Sequence, residues 1–308
     1  VIEVASNDGC LLDFFRSAGV PVLGVEPARN LANMAITRGI PTENVFLSYR
    51  SALNLRKKGY LADLVVANNV LAHVPYLNNF VQGLGLLLKP KGVLSIEVPQ
   101  LECLVENDLF AKIYQEDVSY FLFFVVRNVL KKNGLTVFHV ERIKTHGGSL
   151  RIFAGLPESW EIKINPSVEK LESEEKDAGY GRPETFKNFE KRILTIKWTL
   201  LDLLVKLKQR GKKIVGYGAP AKGNTLLNYC GIKGDILDYT VDLNPLKQGH
   251  FLPGSRIPIY SPEIIKQTKP DYILILPWNI KNEIIKQTIF VRTWGGKFIV
   301  PIPRIKIL

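Results

Sequence analysis

Residues able to do chemistry collect in this sequence where apolar runs end. The stretch ASNDGCLL, residues 5–12, follows such a run. Its Gly9 permits a tight turn that leaves backbone N–H groups free at the start of a helix. Glu26 stands seventeen residues beyond Gly9, at the end of a second run. A carboxylate there accepts hydrogen bonds from both hydroxyls of a ribose. Asn68 and Asn69 close a further run, with His73 shortly after, and belong to the same crevice. Each residue also has a plainer use: Asp8 as a helix cap, Glu26 as a solvated acid, the asparagines as turn formers, His73 as a surface residue at a helix start. Their shared register favours one nucleoside pocket. It is not a dinucleotide fingerprint, because no full G-x-G-x-x-G is present.

Two further regions carry reactive groups. IYQEDVSYF, residues 113–121, sets the adjacent acids Glu116 and Asp117 in an aromatic frame. Burial and mutual repulsion raise the pKa of one such acid and make a base of it, whereas the same pair in water is an ordinary solvated surface. GYGAPAKGN, residues 216–224, follows an apolar run and opens a helix, with Lys222 in a glycine-rich turn. Such a turn suits a diphosphate, or serves only as a tight strand-to-helix connection. DYTVDLNPLKQGHFLPG, residues 238–254, adds Asp242, Asn244, Lys247 and His250. An acid at the end of that strand imitates an NAD site and keeps an NAD-dependent oxidoreductase in view, although the glycine spacing is two residues too long.

The elements between these residues must position them. Strands are predicted over 1–5, 20–26, near 44–47, over 62–69 and 92–99, with amphipathic helices over 8–19, 28–39 and 76–89. Such alternation implies a parallel sheet covered on both faces. A helix over 124–134 precedes two strands, 135–143 and 149–155, close enough to pair antiparallel. Five alternating strands closed by an antiparallel hairpin resemble the Rossmann-like sheet of S-adenosylmethionine (SAM) methyltransferases. Residues 157–185 are polar and read as a linker into a long helix over 185–210. Strands over 212–218, 238–242, 272–278 and 297–303 then alternate with helices again. The expected fold class is α/β, in three parts. A Rossmann-like SAM methyltransferase domain with an antiparallel terminal hairpin spans 1–156, and a polar linker and long helix span 157–210. A second doubly wound α/β domain spans 211–308. The halves share an architecture but no clear motif.

Composition narrows the function. At 308 residues the chain has material for two cores. Its longest apolar runs, such as FLFFVV at 121–126, are far too short to span a bilayer, so no membrane partner is expected. The chain opens on VIEVA without a basic leader region, so no signal peptide is read and residues upstream of this strand are expected. Cys10, Cys103 and Cys230 lie far apart with no C-x-x-C pair. Neither a metal site nor a disulfide framework is expected, and a reducing, cytoplasmic setting follows. The net charge of +12 suits an anionic partner. The basic clusters at 56–58 and 208–213 have no interleaved aromatics, which favours a phosphorylated small molecule over nucleic acid.

Longer stretches point further. IEVASNDGCLLDFF, GVEPA, ADLVVANNVLAHVP, THGGSLRIFA and IVGYGAPAKGNTLLNYCGI together resemble the SAM-dependent sugar C-methyltransferases over nearly the whole chain. Members of that family methylate a carbon beside the keto group of a nucleotide-activated deoxysugar. They usually carry a zinc-binding N-terminal domain, which has no counterpart in these 308 residues. The resemblance implies SAM as cofactor, held by Ala5, Ser6, Asn7 and Gly9, with Glu26 and Pro27 at its ribose and Asn68, Asn69 and His73 near it. It also implies a nucleotide-sugar substrate in the cleft between the domains. Its expected contacts are Tyr120, Gly147, Ser149 and Arg151 in the first half, and Tyr217, Lys222, Gly223, Asn224 and Lys247 in the second. SAM itself supplies the electrophile, so methyl transfer needs no metal. The protein must supply a base for the C–H proton, stabilise the enolate and hold the methyl group in line.

In that family the segment matching IYQEDVSYF usually reads YHEHFSYF, and its second histidine with the neighbouring glutamate is associated with proton abstraction. Gln115 and Asp117 take the two histidine positions here, while Tyr114, Glu116, Ser119 and Tyr120 persist. An imidazole is a good base near neutral pH, and an exposed aspartate is a weaker one. The expected catalytic set is Asp117, Glu116 and Tyr114, with His146 in the THGGS loop as the alternative base. The competing class is a homologue that binds SAM or the sugar nucleotide without turning it over.

Overall fold

Short strands buried along their whole length build the centre of the first sheet, as parallel strands covered on both faces must be. The computed structural model describes residues 1–114, 116–157 and 163–308, apart from the side chain of His146. The chain forms two units, Val1–Cys103 with Glu116–Gly181, and Leu104–Gln115 with Arg182–Leu308. The first unit opens with β1 (Ile2–Val4), α1 (Cys10–Ser17), β2 (Leu23–Val25), α2 (Arg29–Thr37), β3 (Thr42–Glu43) and α3 (Tyr49–Lys57). It continues with β4 (Ala62–Asn68), α4 (Leu77–Leu86), β5 (Leu88–Pro99) and α5 (Leu101–Glu106), which leads out of the unit. α6 (Phe123–Lys132), β6 (Thr136–Ile143), β7 (Ser149–Gly155) and α7 (Pro166–Asp177) complete it.

The strand order is β3-β2-β1-β4-β5-β7-β6, parallel as far as β5 and antiparallel across the β5–β7 and β7–β6 pairs. The expected hairpin is present, with β7 seated against β5 and β6 at the edge. Val65, Leu94, Ile96, Phe123 and Leu130 fill the core without measurable exposure. The chain winds outward in one direction from β1 and in the other from β4. The switch point therefore lies beyond the carboxyl ends of these two strands, where α/β sheets bind ligands.

The second unit starts on α8 (Pro183–Gln209), whose first turn contains a proline and whose buried residues recur every three or four positions. Arg192 on this helix bonds Asp108 at 2.8 Å and the Val105 carbonyl at 2.5 Å, which ties residues 104–115 to it. β8 (Ile214–Tyr217), α9 (Ala221–Cys230), β9 (Thr240–Val241), β10 (Ile259–Tyr260) and α10 (Ile264–Thr268) follow. β11 (Tyr272–Ile275), α11 (Lys281–Gln287), β12 (Lys297–Val300) and β13 (Lys306–Ile307) close the unit. Its order is β10-β9-β8-β11-β12-β13, parallel except for the last pair, with the switch point between β8 and β11. No helix among the described residues is long and apolar enough to cross a membrane.

Several elements depart from the sequence reading. The third strand is Thr42–Glu43, ahead of NVFL; Gly24 and Val25 of β2 pair with these two residues. Val45 and Leu47 instead pack on the core from a loop, with Phe46 exposed, so the apolar run marks packing and not pairing. The helix α3 was not foreseen; Ser48 and Ser51 form its capping box, with serine where glutamate is the usual signal. The polar stretch 157–185 contains α7, which turns Val168, Leu171 and Glu175 inward and keeps its other charged residues toward solvent.

Glu175 explains how α6 can start. Leu122, at its N-cap, offers no side-chain acceptor. The fully buried Glu175 carboxylate accepts from the backbone N–H of Phe123 at 2.7 Å and of Phe124 at 3.0 Å, and faces the positive end of the helix dipole. Burial pushes its pKa up, and the two N–H donors oppose that shift. Glu175→Ala is expected to lower the unfolding free energy by about 2–4 kcal/mol, because two N–H groups lose their acceptor. Glu175→Gln keeps one acceptor oxygen and should lose less; urea unfolding of the three proteins measures both.

Candidate active site

The turn after β1 is built from left-handed residues. Ala5 has φ 58°, Asn7 51° and Gly9 78°. Glycine suits position 9 because of its positive φ, and a Cβ there would meet Ile40 Cδ1 at 2.6 Å and force that side chain to shift. For Ala5 and Asn7 this backbone is costly, of order 1 kcal/mol each, so the surroundings must impose it. Glu26, 4% exposed just past β2, accepts from the Asn7 N–H at 2.9 Å and the Ala28 N–H at 2.7 Å. Asn44 fastens the same loop by donating to the carbonyls of Glu26 and Pro27 at 2.8 and 3.0 Å. Asp8 is occupied structurally: it accepts from the Cys10 N–H at 3.3 Å and pairs with Arg38 at 2.5 Å, which holds its pKa down.

Unpaired polar atoms gather at the same end of the sheet. Glu3 Oε2, Ser6 Oγ, Asn68 Oδ1 and Asn69 Oδ1 are all buried without a hydrogen-bond partner. Asn69 also has a positive φ of 52°, with its N–H donated to the Glu97 carbonyl at 2.8 Å. Buried polar atoms are normally satisfied, so orphans at a switch point mark where a ligand completes the bonding. Glu3 was missed in the sequence reading, although an acid inside the buried run VIEVA is its own signal. Burial, with the charges of Asp8 and Glu26 nearby, pushes its pKa up to about 7.

His73 lies with the 116–120 segment. Its Nδ1 is 3.2 Å from Asp117 Oδ1 and 3.2 Å from the Glu116 carbonyl oxygen. Tyr120 donates its hydroxyl to Asp117 Oδ2 at 2.9 Å. The two segments are pinned together where the N–H groups of Val118 and Ser119 donate to the Ala72 carbonyl at 2.8 and 3.2 Å. Tyr114 packs with the second unit. Residue Gln115 and the side chain of His146 lie outside the described structure. Gly147 has φ 79° in the loop before β7. Ser149 is wholly buried and donates to the Thr145 carbonyl at 3.1 Å. Arg151 lies in a cross-strand ion pair with Glu97 and Glu141 at 3.4 and 3.2 Å.

In the second unit Asp242, just past β9, accepts from the N–H of Ala219 at 2.7 Å and of Asn244 at 2.8 Å. This is the Glu26 arrangement again, a repeat of geometry that the residue identities hide. Lys247 is fastened to the same turn, 3.0 Å from the Ala219 carbonyl and 3.5 Å from Asp242. Gly223 is a packing glycine, whose Cβ would meet Leu276 Cβ at 2.7 Å. Tyr217 is buried, 3.5 Å from Gln287 Oε1. Asn224 Oδ1 is another buried atom without a partner. Lys222 donates to Asn279 and lies 5.1 Å from the centre of the Trp278 ring. Burial, with Lys112 nearby, lowers its pKa to about 8. Trp278 and Asn279, just beyond β11 at the switch point, were not picked out from the sequence.

Comparison with known proteins places the chain. Residues 144–303 match the family model described as C-methyltransferase C-terminal domain, and residues 1–140 match that of a methyltransferase domain. Over 308 residues the chain is 37% identical to the C-methyltransferase NovU of Streptomyces niveus, covering 100% of this chain and 73% of that protein. The chain belongs to the C-methyltransferase family. Among solved structures, magnesium protoporphyrin IX methyltransferase from Synechocystis PCC 6803 with bound SAM is 16% identical, with a TM-score of 0.38 over 50% of this chain and 68% of that one. Its complex with SAH gives 0.40 at 16% identity, over 50% and 73%.

SAM is the cofactor of this methyltransferase, and the residues at the first switch point fit it. Each Glu26 oxygen has taken one N–H and keeps a lone pair for a ribose hydroxyl. The unpaired oxygens of Glu3, Asn68 and Asn69 suit the cationic methionine end. Glu26→Gln replaces one acceptor oxygen with a donor facing an N–H, so it is expected to weaken SAM binding on the order of tenfold or more by calorimetry. Glu3 sets a pH dependence. Its folded pKa of about 7 exceeds the ordinary 4.5, so the folded protein keeps a proton that the unfolded chain has lost. Stability of the ligand-free protein therefore falls as pH rises between about 4.5 and 7. Glu3→Gln should flatten that part of a melting-temperature profile.

Proposed function

We propose that this enzyme transfers the SAM methyl group to a carbon beside the keto group of a nucleotide-activated deoxysugar, in the cytoplasm. SAM, when bound, supplies the methyl electrophile. The chain's own residues must then hold the sugar, accept a proton from the carbon and exclude water from the enolate. What supports the reading is a methyltransferase-family sheet with unpaired polar atoms at its switch point, accompanied on the same chain by a second strand switch that has an acid-tied turn and its own basic residues. At that second switch Lys222 stands beside Trp278, with the glycine-rich turn at its back. A lysine with its pKa brought down to about 8 by burial and a neighbouring lysine gains from an anionic partner, and a diphosphate is such a partner. The net charge of +12 points to the same class of ligand. The Tyr217, Lys222, Asn224 and Lys247 set is assigned to the nucleotide, and Tyr120 with the 147–151 loop and strand to the sugar.

Calorimetry should show SAM binding and no NAD binding; absence of SAM binding at millimolar concentration overturns the reading. Incubation with SAM and a nucleoside-diphospho-4-keto-6-deoxyhexose should add one methyl group to a sugar carbon, by mass spectrometry and NMR. Lys222→Ala is expected to raise the KM for the sugar nucleotide about tenfold, the size of one charged hydrogen bond, and to leave SAM affinity unchanged.

A further inference from the structure

The cluster around Asp117 carries a more specific assignment, which rests on the carbon-methylation reading above. His73 Nδ1 faces two oxygens, Asp117 Oδ1 and the Glu116 carbonyl, each at 3.2 Å. Both only accept, so Nδ1 carries the hydrogen, and in the neutral ring Nε2 holds the free lone pair. The other Asp117 oxygen already accepts from the Tyr120 hydroxyl at 2.9 Å. Exposure separates the two residues as well, at 12% for the Asp117 side chain and 43% for that of His73. A shielded carboxylate with both oxygens engaged is poorly placed to collect a substrate proton. A partly open imidazole, oriented from behind by that carboxylate, is well placed to do so.

We infer that His73 Nε2 is the proton acceptor of the reaction and that Asp117 is the positioning residue that fixes its tautomer. The C–H bond beside the keto group breaks, and its electron pair stays on the substrate as the enolate, with the charge on the keto oxygen. The proton forms an N–H bond at Nε2. The resulting imidazolium is stabilised through Nδ1–H by Asp117, whose own position is held by Tyr120 and by the backbone bonds from Val118 and Ser119 to Ala72. The proton then passes to water from the open side of the ring, so the step returns to its starting state.

Solvent exchange tests this without methyl transfer. The probes are nucleoside-diphospho-4-keto-6-deoxyglucoses carried on thymidine, uridine and cytidine in turn, with S-adenosylhomocysteine in heavy water. The wild-type enzyme should exchange the carbon-bound hydrogen of at least one probe. His73→Ala should lower that rate about 100-fold or more, and free imidazole in the buffer should restore part of it. Asp117→Asn should lower the maximal exchange rate about tenfold with KM unchanged. Its imidazole ¹⁵N signals should show loss of the single Nδ1–H tautomer, a change that a merely structural role would not produce. Thermal unfolding confirms that both variants are folded. Exchange in His73→Ala at the wild-type rate, or a deeper loss in Asp117→Asn than in His73→Ala, overturns the assignment and leaves the methylation reading standing. Absence of both exchange and methyl transfer in the wild-type enzyme with every probe overturns that reading and this assignment together.

Discussion

A buried carboxylate tied to two backbone N–H groups holds the ligand end of the first sheet in shape. Glu26 accepts from Asn7 and from Ala28, and so joins the turn after β1 to the loop after β2. Without it, the left-handed backbone at Ala5 has little reason to persist, since a methyl side chain does nothing to favour it; Asn7 has only its own donation to the Ala5 carbonyl at 3.2 Å in support. A buried charge in turn needs donors, and the two N–H groups are what make Glu26 tolerable at 4% exposure. Carboxylate and turn therefore stabilise each other, and the lone pairs left over are available to a ribose. Asp242 does the same for the turn after β8. Two units with little likeness in residue identity solve the same backbone problem in the same way.

Polar groups elsewhere in the molecule follow a related division of labour. Those that are paired hold the fold: Asp8 with Arg38, and Glu175 at the start of α6. Among those left without partners, Ser6, Asn68 and Asn69 lie at the carboxyl ends of strands. This separates structural from ligand-facing polarity better than residue type does. It brings Glu3 into the ligand-facing class. His73 and Asp117 fall between the two groups, paired with each other on one side and with His73 partly open on the other.

The alternation of apolar runs with amphipathic helices made the parallel sheets legible, because strands buried on both faces have no polar side to confuse the pattern. The hairpin was legible from spacing alone. The elements that escaped were those whose signal was weak or displaced. β3, β10 and β13 have two residues each, too few to show a period. α7 carries so much charge on its outer face that its three inward residues were lost in a polar composition. NVFL drew the third strand to itself because apolar content marks packing and does not by itself mark pairing. Within the site, Gly9, Glu26 and the asparagines were recoverable from their positions at strand ends. Trp278 and Asn279 were not, since nothing local distinguishes them from any residues after a strand.

By itself the sequence determined the sheet architecture, the family and the cofactor. These depend on periodicity and on residues close together in the chain, where local chemistry and steric preference dominate. Only the tertiary structure decided which polar groups are already satisfied. That property belongs to pairs distant in sequence: Glu26 with Asn7, Glu175 with Phe123, His73 with Asp117. The acid at 117 is the clearest case. As a residue type it is an unpromising base in an aromatic segment. With a ring nitrogen at one oxygen and a phenol at the other it becomes a support for a histidine, because the folded chain brings together groups that 44 residues of sequence keep apart.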